Sequence, residues 1–292
     1  MKWIDYERPH SVLQAVEVLS ECGDRARCLA GGTDILVQLR AGRRQPDVLV
    51  DVKEIPELNQ VIYDPIDGLT LGAAVPCYKI YDNPAVKDWY PAIVDSTRII
   101  GGIPIQGRAS LGGNLCNAAP SADSIPTLIV LGATVNVANS NGGRQVPVAE
   151  FCTGPGQTVL QPGELVVSIH FPPPAANSGA HYLRFTPRNE MDIAVAGAGA
   201  WVQLDPDGET IQDARVALAA VAPVPLPVEG VGEALKGKPA TDDTIQIAAE
   251  MAREAARPIT DMRGTAEFRR HLCEVLTRRA LRRAIERAKE AK

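Results

Sequence analysis

The chain has 292 residues, 45% of them hydrophobic and 22% charged, enough for one large domain or two to three ordinary ones around a real core. Its formal net charge of -5 and its 4% aromatic content argue against a nucleic-acid or anionic-membrane surface.

Taken in chain order, Asp5, Glu7 and Arg8 stand where a signal peptide would need its apolar core. No apolar run approaches the roughly 20 residues of a membrane-spanning helix, so the expected location is cytoplasmic, with no membrane span. "HSVLQAVEVLSECG" predicts a first helix. Ser11 is a suitable N-cap with Gln14 at the capping-box position, Val12, Ala15, Val16 and Leu19 form an apolar stripe, and Gly23 stops it. "ARCLAGG" reads as a short buried strand, "DILVQLRAG" as a helix closed by Gly42, and "DVLVDV" as another strand. Residues 3–52 are thus a compact α/β unit.

From about residue 56 the texture changes. "GLTLGAAV" predicts a strand bounded by glycine, and "NPAVKDWYPAIVDSTRII" a helix broken at Pro91. A glycine-dense stretch follows at 100–126, then a helical turn and a strand in "TLIVLGATVNVAN", and a buried strand in "ELVVSIHFPPP". The three prolines with "AANSGA" read as a linker, which places the main domain boundary near 176. Beyond it, "AHYLRFTPR" and "DIAVAGAGAWVQLDPDGETIQDARVALAAVAP" predict strands with a turn at Asp207 and Gly208, and residues 242–256 and the C-terminal segment predict helices. No repeat has a fixed period.

Two stretches concentrate chemistry. In "LAGGTDILVQLRAG", Gly31 and Gly32 sit between a strand and a helix, where backbone N–H groups can meet an anion and glycine permits close approach. A plain tight turn is the alternative, and the spacing is neither a Walker A motif nor G-x-G-x-x-G. In "SLGGNLCNAAPSAD", Gly112 and Gly113 are packed among apolar residues, which suits a binding loop that enters the protein better than a surface turn. "VAGAGAW" runs into a strand, not a helix, so its glycines suit close sheet packing. Between 263 and 292 there are ten Lys or Arg against four Asp or Glu, on a helix whose apolar spacing is intact, as on a solvated or partner-facing surface. The six cysteines include no C-x-x-C pair and the histidines are dispersed, so no metal or iron–sulfur site is expected. Cys116, beside the second glycine pair, reads as a buried structural thiol. No nucleophile constellation is visible. The residue chemistry describes a binder of a phosphate-bearing ligand and no self-contained acid–base catalyst.

"LAGGTDIL", "SLGGNLCNAAPSAD", "RFTPRNEMDIAV" and "RGTAEFRRHLCEVLTRRAL" occur in that order over essentially the whole chain. The combination resembles the FAD-binding medium subunit of the molybdenum hydroxylases, the carbon monoxide dehydrogenase and xanthine dehydrogenase family. The resemblance implies an α+β fold. An FAD-binding region of the vanillyl-alcohol oxidase (PCMH) type would span 1–176, in subdomains of about 1–55 and 56–176, followed by a small α+β domain at 177–292.

It also implies FAD contacts at Leu29, Ala30, Gly31, Gly32, Thr33, Asp34, Ile35 and Leu36, at Ser110, Leu111, Gly112, Gly113 and Asn114, and at Asp123 as an acceptor for cofactor hydroxyls. Ile100 and Val166 would be apolar neighbours of the flavin, and Arg184 falls where relatives often have Lys. Catalytic residues for the hydroxylation are expected in none of these positions, because the molybdenum cofactor and the [2Fe–2S] clusters would lie in large and small partner subunits, in a dimer of heterotrimers serving an external electron acceptor. No histidine lies in either glycine segment, so FAD would be non-covalent. The segment "IIGGIPIQGRAS" departs from the family pattern and bears on acceptor access. Two other readings are a stand-alone FAD oxidoreductase and a non-redox nucleotide-binding scaffold.

Overall fold

A computed structural model describes residues 3–291. The chain begins with β1 (Asp5–Glu7), α1 (Val12–Cys22), β2 (Ala26–Leu29), α2 (Ile35–Arg40) and β3 (Val48–Asp51). Its three strands form a parallel sheet in the order β1-β3-β2. Helix α1 forms as its pattern predicts: Ser11 Oγ accepts from the N–H of Gln14 at 3.2 Å, Gln14 Oε1 accepts from the N–H of His10 at 2.9 Å, and Ala15, Val16 and Leu19 are buried.

The next stretch runs β4 (Val61–Asp64), β5 (Gly68–Gly72), α3 (Cys77–Asp82), α4 (Pro84–Trp89), α5 (Pro91–Thr97), α6 (Ile103–Gln106), α7 (Leu111–Asn117) and α8 (Ser124–Val130). It continues with β6 (Thr134–Asn139), β7 (Gly142–Pro147), α9 (Val148–Phe151), β8 (Cys152–Gly154), β9 (Gln157–Thr158) and β10 (Leu165–Phe171). Five of these strands make an antiparallel sheet, β4-β5-β10-β6-β7. The nearly unbroken apolar run of β10 places it at the centre. One apolar core joins the two sheets: Val16, Leu19 and Val50 pack in the same cluster as Leu69, Ile169 and Phe171. The second glycine pair, read as a loop, is instead the first turn of α7, because Ser110 caps the helix with Oγ accepting from the N–H of Gly113 at 3.1 Å.

The Pro-rich segment after Phe171 leads to β11 (Ser178–Phe185), β12 (Ala196–Leu204), β13 (Ile211–Ala219), β14 (Leu226–Pro227), α10 (Val231–Leu235), α11 (Asp242–Ala255) and α12 (Ala266–Glu290). The four strands form an antiparallel sheet in chain order, with the predicted turn at Asp207 and Gly208 between β12 and β13. The two faces of β12 explain its sequence. Ala196, Ala198, Ala200 and Val202 face the core shared with α11 and α12. Gly197, Gly199 and Trp201 face the other way. A Cβ on Gly197 would lie 2.4 Å from the Tyr182 hydroxyl, one on Gly199 would lie 3.1 Å from the Pro126 backbone, and Trp201 packs with Ala92, Val130 and Ala217 between the domains. The glycines of "VAGAGAW" therefore serve sheet packing, and the α+β expectation holds.

Candidate functional site

A cleft of about 910 Å³ runs between the two glycine segments and the start of the C-terminal sheet. That volume lies at the upper end of the range for small-molecule sites, about 300–1,000 Å³. Two cross-links hold its sides in place. Arg108 Nε donates to the carbonyl of Gly31 at 3.3 Å, and Gln38 Nε2 donates to Asn117 Oδ1 at 2.8 Å, tying α2 to α7.

All four glycines line the cleft, and the first of each pair is also required by the fold. A Cβ on Gly31 would sit 1.9 Å from the Arg108 carbonyl oxygen, and one on Gly112 would sit 2.5 Å from the Ala73 carbonyl oxygen. Neither position can hold a side chain without moving backbone. Gly32 has φ +79°, the left-handed region open to glycine. A Cβ on Gly113 would meet only Ser110 Oγ, at 3.1 Å. The N–H groups of Gly32, Thr33, Asp34, Ile35 and Gly112, all on the cleft wall, find no acceptor among the described residues. Backbone donors left free at a cleft call for an acceptor from a ligand or from water.

Of the positions expected from the resemblance, Ala30, Gly31, Gly32, Thr33, Asp34 and Ile35 line this cleft, as do Ser110, Gly112, Gly113 and Asn114. Ile100, Asp123, Val166 and Arg184 line it as well. Leu29 and Leu111 are turned into the protein, at 8% and 1% exposure, and Leu36 is 48% exposed away from the cleft wall. The side chains of Leu29 and Leu36 close over the site where Gly32 lacks a Cβ.

Asp123 and Arg184 meet at the junction of the two domains. Tyr182 and Arg184 project from one face of β11 because they are two residues apart. Arg184 Nη1 lies 2.5 Å from Asp123 Oδ2, and the Tyr182 hydroxyl donates to Asp123 Oδ1 at 3.0 Å. Both carboxylate oxygens are thus engaged within the protein, and the arginine charge has a partner. Burial pushes the Asp123 carboxyl up to about 6, against the opposing pull of Arg184 and the hydrogen bonds. Asn114, on α7, accepts through Oδ1 from Ser124 Oγ at 2.6 Å, which ties the second segment to α8.

The cleft also has walls beyond the expected contact positions. Met191, Asp192, Ile193 and Ala194 line it, within the motif "RFTPRNEMDIAV", and Gln38 and Asn117 lie one helical turn beyond Asp34 and Gly113. That i, i+4 spacing was the available signal for the last two. Cys116, expected to be buried, opens onto the cleft together with Cys28. Surrounding protein still removes enough water to push these thiols up to about 12 and about 11, so neither is poised as a nucleophile. The C-terminal arginines are not all solvated either. Arg269 is 3% exposed, and Arg287 pairs with Asp95 at 2.5 and 3.0 Å. No helix among the described residues is long and apolar enough to cross a membrane.

Comparison with known proteins agrees with this geometry over both parts of the chain. Residues 2–174 match the family model described as the FAD binding domain in molybdopterin dehydrogenase, and residues 181–284 match the CO dehydrogenase flavoprotein C-terminal domain. The carbon monoxide dehydrogenase medium chain of Hydrogenophaga pseudoflava is 31% identical over 280 residues, covering 96% of each chain. The xanthine dehydrogenase FAD-binding subunit of Escherichia coli O157:H7 is 29% identical over 281 residues, covering 96% of this chain and 95% of its own. A solved structure of carbon monoxide dehydrogenase from Hydrogenophaga pseudoflava superposes with a TM-score of 0.93 at 30% identity, over 98% of both chains. The chain belongs to the FAD-binding medium subunits of the molybdenum hydroxylase family, the flavoprotein subunits of oxidoreductases such as carbon monoxide and xanthine dehydrogenases.

Proposed function

We propose that this subunit holds FAD non-covalently in the cleft and serves as the electron outlet of a heteromeric molybdenum-containing hydroxylase or dehydrogenase. The observation that carries the proposal is the pair of glycine segments that line one cleft together, with free N–H groups on its wall. The residues fit the group. Five free backbone donors can receive a pyrophosphate without a lysine cage, and the absence of a Cβ at Gly113, where only Ser110 Oγ stands nearby, lets the backbone come close to it.

When bound, FAD supplies the chemistry of accepting electrons from a small [2Fe–2S] subunit and giving them to an external acceptor. The chain's own residues bind and orient. Gly31 to Ile35 and Ser110 to Asn114 cradle the pyrophosphate, while Ile100 and Val166, at 8% and 4% exposure, offer apolar surface to the flavin ring. Arg184 places its guanidinium on the cleft wall, and Asp123 fixes that guanidinium in position while its oxygens keep lone pairs to accept from cofactor hydroxyls. The substrate site belongs to a large subunit carrying the molybdenum cofactor, so no residue of this chain acts as acid or base on the substrate. The assembly is a dimer of heterotrimers.

Purification from the native host tests this reading. The expected result is a yellow chain that releases free FAD on acid denaturation and elutes with molybdenum- and iron–sulfur-containing partners. A lone chain that oxidises a substrate by itself contradicts it.

A further inference from the structure

The fourth sequence motif, "RGTAEFRRHLCEVLTRRAL", lies far from the cleft in sequence, and its first turns end at the base of a cleft wall. Residues 186–194 form a loop between β11 and β12, and its neck is closed by the Val195 N–H donating to the Phe185 carbonyl at 2.9 Å. Two adjacent residues of α12 grip that neck. The Phe268 ring meets the Phe185 ring edge-on at 5.8 Å, and the buried Arg269 donates through Nη1 to the Val195 carbonyl at 2.8 Å. Arg269 is itself fixed by Asp261 Oδ1 at 2.7 Å from Nη2 and by the Ala220 carbonyl at 3.3 Å. Thr265 caps the helix under Phe268, its Oγ1 accepting from the Phe268 N–H at 3.1 Å.

The far end of the same loop is pinned to the unusual glycine segment. The Met191 N–H donates to the Gly101 carbonyl at 3.3 Å, and a Cβ on Gly102 would stand 3.2 Å from Met191 Sδ. Both Met191 and Gly101 have positive φ, +55° and +58°, so the contact joins two tightly specified turns. Between neck and tip, Met191 to Ala194 form cleft wall.

We infer that Phe268 and Arg269 are positioning residues that hold the 186–194 loop closed against the cleft, and so set how firmly the bound cofactor is retained. The inference rests on the reading that the cleft holds FAD. It assigns Phe268 and Arg269 of the fourth motif a role in the cofactor site although neither side chain lines the cleft. Phe268 and Phe185 are 40% and 36% exposed, so the ring can be removed without opening the core.

The test uses the full chain loaded with FAD and the variants Phe268→Ala, Arg269→Lys and Phe268→Tyr, at temperatures below each melting transition. Loss of the aromatic contact is expected to raise the rate of FAD release about threefold to tenfold in Phe268→Ala. Amide hydrogen exchange should rise across 186–195 and stay unchanged at 30–35 and 111–114, Arg269→Lys should show the same pattern, and Phe268→Tyr should restore wild-type behaviour. Wild-type release rates and wild-type exchange of the loop in both Phe268→Ala and Arg269→Lys would overturn the inference. A wild-type chain that takes up no FAD would overturn the reading of the cleft, and loop exchange in the apo chain then decides the clamp alone.

Discussion

At the scale of single residues, the doubled glycines divide a structural duty from a binding one. Gly31 and Gly112 sit against carbonyl oxygens of Arg108 and Ala73, so Gly31→Ala or Gly112→Ala forces backbone apart. Each is expected to destabilise the apo chain by at least about 1–3 kcal/mol, as overpacking does, measured by urea unfolding. Gly113→Ala meets only a hydroxyl and should leave apo stability nearly unchanged while weakening FAD retention. Asp123 adds a pH signature. Its folded-state carboxyl stands at about 6 against an ordinary 3.8, because burial disfavours the charge. Its contribution to apo stability is therefore complete below about pH 4 and is lost as pH rises through 6. Compared with Asp123→Asn, the wild type should lose relative stability across that interval, and a flat difference would contradict the assignment. The glycines were legible in the sequence as an anion-friendly pattern. Their division of labour was not, because it depends on Arg108 and Ala73, which chain folding brings from 77 and 39 residues away.

At the scale of elements, local signals were reliable where one segment settles its own conformation. The cap at Ser11, the break at Pro91 and the strand with closely packed glycines in "VAGAGAW" all appear where the sequence placed them. The second glycine segment went differently: two glycines disfavour helix by about 1 kcal/mol each, yet the Ser110 cap and the seating of Gly112 on Ala73 carry α7 through them. Ser110→Ala removes that cap and should cost about 0.5–2 kcal/mol of stability, with a parallel loss of FAD affinity because the same turn lines the cleft. Unchanged FAD affinity in a measurably destabilised variant would show that the turn does not carry the cofactor. The arginines of α12 show the limit of reading a helix by composition. Period and charge describe a solvated or partner-facing surface, whereas Arg269 is buried on carbonyls from two other segments.

For the whole molecule, two charged clusters help to fasten the C-terminal sheet to the FAD-binding region, beside the apolar packing of Trp201: the Asp123 cluster and a second one around Asp95. Asp95 on α5 accepts from His181 Nδ1 at 2.6 Å, and receives both terminal nitrogens of Arg287 from α12. Burial pulls its carboxyl upward most strongly, but the hydrogen bonds and charges of His181 and Arg287 together bring it below its ordinary value. This stability is present above the ordinary carboxylate value of 3.8 and is lost as pH falls through the lowered one, opposite in sign to Asp123. Asp95→Asn should flatten the acid limb of unfolding; an acid limb as steep as wild type would contradict the clamp. Contacts between residues 192 positions apart, such as Asp95 with Arg287, leave no periodic trace in a single sequence. The family resemblance reached the fold and the cofactor because its motifs lie in the turns that make the cleft. The most direct test of the central claim is titration of the full apo chain with FAD, followed by flavin fluorescence, for the wild type and Gly113→Val. The account predicts saturable wild-type binding that Gly113→Val loses, since a branched side chain would enter the space of the pyrophosphate. A wild-type chain that binds no FAD, or a Gly113→Val chain that binds it equally well, would contradict it.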